Sequence, residues 1–183
     1  PLLAQRILSI NFLTNGRQQL ALGDHSREPD AMLAPPRPGS EAVVKRYVMG
    51  LRVFVGLVSG IGGLLVLNAY FPGGFLTVRE NVDIDYARTM TFVVLTLFQL
   101  FNSLNFRSLK HSIINRKIFG NPWLLGALVL SILMMIAVVH LPPLQVAFHT
   151  RSILTSDWLI AAAVASSVLW AVELFKVVVR RGR

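Results

Sequence analysis

The chain has 183 residues, no cysteine, 18 Lys and Arg against 9 Asp and Glu, and a formal net charge of +9. Apolar residues make up 54% and charged residues 15%. The charged share is well below the roughly 25% of a soluble domain, so composition excludes a disordered tail and argues against a soluble enzyme. Without cysteine there is no disulfide, thiolate metal site or cysteine nucleophile.

A transmembrane helix needs about 20 mostly apolar residues. Taken in chain order, the candidates are residues 2–22, 48–71, 89–106, 122–141 and 158–179, which predicts an all-α, multi-pass bundle of five helices in a single domain over 1–183. The first is the weakest, because Arg6, Asn11, Asn15, Gly16 and Arg17 interrupt it. On it, Asn11, Thr14 and Asn15 stand at i, i+3 and i+4 and share one face. Polar groups at membrane depth tend to line an interior or a pathway. A glycine beside them, here Gly16, can let a helix unwind and free carbonyl oxygens for a cation. Hydrogen bonding to neighbouring helices explains the same three residues equally simply.

Residues 24–40 hold Pro29, Pro35, Pro36 and Pro38 and read as a polar loop. The second candidate carries Gly56, Ser59, Gly60 and Gly63, two overlapping small-xxx-small pairs that let another helix approach closely. Pro72-Gly73-Gly74 then ends it. The third candidate carries Thr96, Gln99, Asn102, Ser103 and Asn105; interhelical hydrogen bonds or a ligand role for Gln99 both fit. Asn121-Pro122-Trp123 starts the fourth, and Pro142-Pro143 ends it. Ser156-Asp157-Trp158 starts the fifth, where Glu173 and Lys176 form an i, i+3 ion pair with the lysine expected to snorkel outward.

The basic residues sort by loop. Twelve lie in residues 23–47, 107–121 and the tail from Lys176, against three (Arg79, Arg88 and Arg151) in 72–88 and 142–157. The positive-inside rule therefore predicts cytoplasmic loops at 23–47 and 107–121 and a cytoplasmic C-terminus. The net charge reflects topology, and no nucleic-acid partner is expected. An odd number of spans leaves residue 1 outside, which is simplest if the chain is part of a longer polypeptide. His25, His111, His140 and His149 lack metal-ligand spacing. No P-loop, nucleophile elbow or paired-carboxylate site occurs, so no catalytic residue is assigned.

Several of these segments together resemble the C-terminal membrane region of P-type cation-transporting ATPases, in particular the calcium-pump-like branch. Ile10-Asn11-Phe12-Leu13-Thr14-Asn15-Gly16 and Leu20-Ala21-Leu22-Gly23 resemble the sixth membrane helix of that family. Glu28-Pro29-Asp30-Ala31-Met32 resembles the following loop. Leu97 to Asn105 resembles the eighth helix, Asn121 to Gly126 with Pro142 to Gln145 the ninth, and Asp157-Trp158-Leu159 with Glu173 to Lys176 the tenth. The resemblance implies a membrane portion of an ATP-driven cation pump, with Asn11, Thr14, Asn15 and Gln99 at cation-ligand positions. Asn15 stands where the family carries Asp. It further implies Ca2+ or another cation as cargo and no cofactor held by this chain. ATP and Mg2+ would be handled by upstream pump domains, and the host would be the plasma or inner membrane. The chain would not be catalytic alone. A stand-alone, non-enzymatic multi-pass protein derived from a pump is the alternative.

Overall fold

The computed structural model describes Leu8 and residues 46–76, 78–79, 82–105 and 122–181. Among these residues there is no strand. The elements are α1 (Arg46–Tyr70), α2 (Ile84–Asn105), α3 (Pro122–His140), α4 (Pro142–Phe148) and α5 (Thr155–Arg181). The all-α membrane bundle expected from composition is the observed class. The expected helix over 2–22 lies, apart from Leu8, outside the described residues. The fifth described helix is instead α4, which the sequence reading missed. Pro142-Pro143 does end α3, but proline is also well suited to a helix's first turn, and the pair occupies the first positions of α4.

Length and apolar content qualify three helical segments to cross a bilayer: Val48–Tyr70, Pro122–His140 and Thr155–Val177. Helix α2 is not among them, although its 22 residues give about 33 Å at 1.5 Å per residue. Its packing explains the difference. α2 lies against both α1 and α5, which also touch each other, while α3 mainly holds α4 and meets α2 only at the margin. A helix enclosed by protein on two sides need not be apolar all round. Phe92, Val93, Val94, Leu97, Phe98 and Leu100 of α2 are buried and join Leu51, Val55, Val66, Val168 and Val172 in one core.

The polar groups of α2 are mostly satisfied within the helix itself. Thr89, Thr91 and Thr96 donate to the carbonyls of Asp85, Ala87 and Phe92 at 2.7, 2.9 and 2.8 Å, and Ser103 donates to Leu100 at 2.7 Å. Thr96 and Ser103 therefore do not make the interhelical bonds expected of them. A hydroxyl folded onto its own helix costs little in an apolar setting, because both groups are satisfied.

Close approach of α1 and α2 runs through Gly62 and through Gly63, one of the four small residues expected, but not through Gly56 or Gly60. A Cβ at Gly62 would lie 2.6 Å from Cζ of Phe98, and one at Gly63 would lie 2.8 Å from Cδ2 of Leu95. Nothing lies within 4 Å of such an atom at Gly56 or Gly60. That side of α1 carries exposed Met49, Val53, Leu57, Ile61 and Leu64, spaced at three or four residues. At the opposite end of α1 from Tyr70, the rings of Phe54 and Phe175 stack with centroids 5.2 Å apart.

Two substitutions separate these glycines. Gly62→Val should push the Phe98 ring aside and cost about 1–3 kcal/mol, lowering the midpoint of a thermal aggregation assay in detergent. Gly60→Ala should leave that midpoint unchanged or slightly raised, because alanine meets nothing there and favours helix.

Candidate functional site

Two polar regions lie at opposite ends of α2. The first gathers around Asp157, in the opening turn of α5, whose residue is only 1% exposed. Asp157 accepts hydrogen bonds from the hydroxyls of Tyr70, at 2.9 Å, and Tyr86. Nη1 of Arg79 lies 3.5 Å from the same carboxylate. Each partner comes from a different element: Tyr70 closes α1, Arg79 follows in the connection, and Tyr86 opens α2. The Tyr86 hydroxyl also accepts from the Leu154 amide at 3.2 Å. The two tyrosine rings stack with centroids 6.1 Å apart. A buried carboxylate is costly unless charge and hydrogen bonds compensate it, and here two hydroxyls and a guanidinium do so.

The connection between α4 and α5 is sewn onto the same end. Thr150 donates to the Val138 carbonyl at 2.6 Å, and the Arg151 amide donates to Oγ1 of Thr89 at 3.1 Å. Gln145 donates to the Val139 carbonyl and to Ser152 at 2.6 and 2.7 Å. These groups leave an open cleft of about 420 Å³ lined by Val82, Asp83, Tyr86, Gln145, Arg151 and Ser152. Arg151 and Asp83 face each other across it at 3.9 Å, both well exposed. His140 stacks on Trp158, with centroids 6.1 Å apart, and both His140 and His149 are exposed. Among the described residues, no group of three or more His, Asp or Glu could hold a metal ion.

The second region is the far half of α2. Gln99 is exposed, Asn102 is half-buried and Asn105 is buried. The three follow one another at intervals of three residues, so the row winds about 60° around the helix at each step, from exposed Gln99 to buried Asn105. Nδ2 of Asn105 approaches the Val168 carbonyl of α5 at 3.4 Å, an interhelical bond of the kind expected of this row. Oδ1 of Asn102 and Oδ1 of Asn105 are buried without a donor. Along α5, Lys176 pairs with Glu173 at 3.2 Å. The expected ion pair is present, but the lysine does not snorkel outward. Its side chain is only 2% exposed, whereas that of Glu173 is 21% exposed.

Of the four residues assigned a ligand position from sequence, the structure therefore places Gln99, on α2 beside Asn102. Asn11, Thr14 and Asn15 lie outside the described residues. The Asp157 cluster was missed. Its signal was present: one acid at the head of an apolar helix, and a tyrosine at each edge of the connection between α1 and α2.

These features define a class of protein, a multi-pass helical membrane bundle whose polar groups are held in its interior. The comparison with known proteins narrows that class. A family model described as "Cation transporting ATPase, C-terminus" matches residues 1–178. The chain belongs to this family. It is 33% identical to a calcium-transporting ATPase of Bacillus subtilis, over 91% of this chain and 18% of that protein. It is 32% identical to calcium-transporting ATPase 1 of Schizosaccharomyces pombe, over 96% of this chain and 19% of that protein. It is 33% identical to the mouse calcium-transporting ATPase type 2C member 2, over 96% of this chain and 18% of that protein. The chain thus spans about a fifth of the length of these relatives.

Asp157→Ala should strip three groups of their common acceptor and destabilise the bundle by about 3 kcal/mol or more. Tyr70→Phe removes one donor and should cost about 1–3 kcal/mol. Thermal unfolding in detergent, followed by size-exclusion chromatography of the fluorescently tagged protein, should rank them in that order.

Proposed function

We propose that this chain forms the C-terminal membrane portion of an ATP-driven cation pump. It would supply ion-coordinating side chains and the helices that support them. The observation that carries this reading is the similarity to calcium-transporting ATPases along nearly the whole chain, which includes Asn11, Thr14 and Asn15 in one segment and Gln99 in another.

The chemistry is consistent with that role. Asn11, Thr14 and Asn15 offer oxygen ligands on one helical face. Gln99 adds an amide oxygen from α2, a helix held between α1 and α5. Hard cations bind such oxygens, and the number of charges among the ligands tunes affinity. This set is neutral, so its share of the affinity for a divalent ion is smaller than that of a carboxylate set. The cargo is Ca2+ or another cation. ATP and Mg2+ are handled by other domains of the pump, outside this chain. The distribution of basic residues supports a cytoplasmic C-terminus, with the Asp157 end of the bundle on the opposite side of the plasma or inner membrane.

The test is a substitution series in the complete pump, read as the cation dependence of phosphoenzyme formation. Asn15→Asp restores a carboxylate and should raise apparent divalent-cation affinity on the order of tenfold. Asn11→Ala, Thr14→Ala and Gln99→Ala should each lower it. Unchanged cation dependence across all four would remove the ligand role, and with it the reading of this bundle as an ion path.

A further inference from the structure

We propose that the turn following α1 is an interfacial anchor, which sets the apolar side chains of Phe71, Phe75, Leu76 and Val78 into the headgroup region of the bilayer. The inference rests on where the turn lies and on what it exposes, and it is independent of any ligand role for Gln99.

The turn does not project away from the bundle. It folds back onto the last turn of α1, where helix carbonyls have no partner of their own. The Val78 amide donates to the Ala69 carbonyl at 2.9 Å, and the Leu76 amide donates to Oδ1 of Asn68 at 3.1 Å. Asn68 and Ala69 both belong to the apolar segment Val48–Tyr70 that qualifies to cross a bilayer. Residues 76 and 78 therefore sit level with the end of the span, not above it. Gly74 makes this possible. A Cβ there would lie 1.9 Å from the Asn68 carbonyl oxygen, so no other residue fits without moving the backbone. Gly73, at φ 80°, supplies the left-handed step that reverses the chain. Arg79 then ties the far side of the turn to buried Asp157.

A segment held at that depth should present polar side chains if water surrounds it, and apolar ones if lipid does. It presents apolar ones. Phe75 is fully exposed, and Leu76, Val78 and Phe71 are also exposed. Meanwhile the backbone amides of Gly74, Leu76 and Val78 are bonded inside the protein. Amides bonded within the protein beside outward apolar side chains favour partition into a membrane boundary. The lipid surface is thus the occupant the geometry favours, with a covering protein as the competing outcome.

The test uses the full-length protein with Phe75→Cys, spin-labelled and reconstituted into phosphatidylcholine vesicles. The signal of the identically labelled unsubstituted protein is subtracted. Collision of the label with oxygen, which concentrates in lipid, is compared with collision with a water-soluble nickel chelate. Arg151→Cys, at an exposed position in the cleft, is the aqueous reference. Phe75 is fully exposed, so the substitution leaves the turn intact. The expected result is that oxygen relaxes the label at 75 several times more effectively than nickel does, with the reverse order at 151. Nickel prevailing at 75 would overturn the proposal, because the turn would then stand in water. Exclusion of both reagents from 75 would overturn it equally, because a protein surface would then cover the turn.

Discussion

A buried charge must be compensated by hydrogen bonds and opposite charge from the protein, and that constraint orders this bundle. The clearest case is the carboxylate of Asp157. It sits in the first turn of α5, where an acid suits the helix dipole, but the helix alone does not satisfy it. Tyr70, Arg79 and Tyr86 converge on it from the end of α1, the following connection and the start of α2. One buried group thereby fixes the mutual position of three helix ends. The Gly62 and Gly63 contacts with Phe98 and Leu95 hold α1 against α2 further along. The contact between α1 and α5 is held at its other end by Phe54 and Phe175.

The two ends of α2 then differ in kind. At the Asp157 end every prominent polar side chain has a partner, and the connection between α4 and α5 adds bonds to Thr89 and Val138. At the other end two amide oxygens, of Asn102 and Asn105, are buried with none. Leaving such an acceptor unpaired costs free energy comparable to a lost hydrogen bond. Stability alone would favour leucine at both positions. The two amides put acceptor capacity on the helix that also carries Gln99.

Much of the fold was legible because bilayer length and hydropathy are strong signals. The spans at 48–71, 122–141 and 158–179 overlap α1, α3 and α5 closely. What escaped did so for local reasons. Helix α2 begins at Ile84 and not Thr89, because Asp85, Tyr86 and Arg88 look like loop, whereas Asp85 and Arg88 pair along the helix and Tyr86 bonds across the bundle to Asp157. Helix α4 hid behind Pro142-Pro143, which reads equally well as a stop or a start. Lys176 read as a snorkelling end group because its spacing reveals Glu173 but not the packing that covers it. The site divides the same way. Gln99 was singled out by its polar stripe and its family resemblance, and its ligand role is a proposal that rests on them. Asp157 depends on residues separated from it by 71 and 87 positions, which no local pattern connects.

The neutral character of the proposed ligand set bears on what a divalent-cation site built on it would need. An asparagine at position 15 offers a carbonyl oxygen but no charge. Moving a divalent cation out of water requires compensation that neutral oxygens provide only in part. Lys176, Arg79 and Arg151 add positive charge to the described bundle, and Lys176 is buried within it. Each described acid already has a partner: Asp157 its tyrosines and Arg79, Asp85 the neighbouring Arg88, Asp83 Arg151, and Glu173 Lys176. If this bundle carries a divalent ion, the carboxylates that balance it come from outside the described residues. If no carboxylate joins the set, the same oxygens suit a monovalent ion, for which amide and hydroxyl ligands suffice.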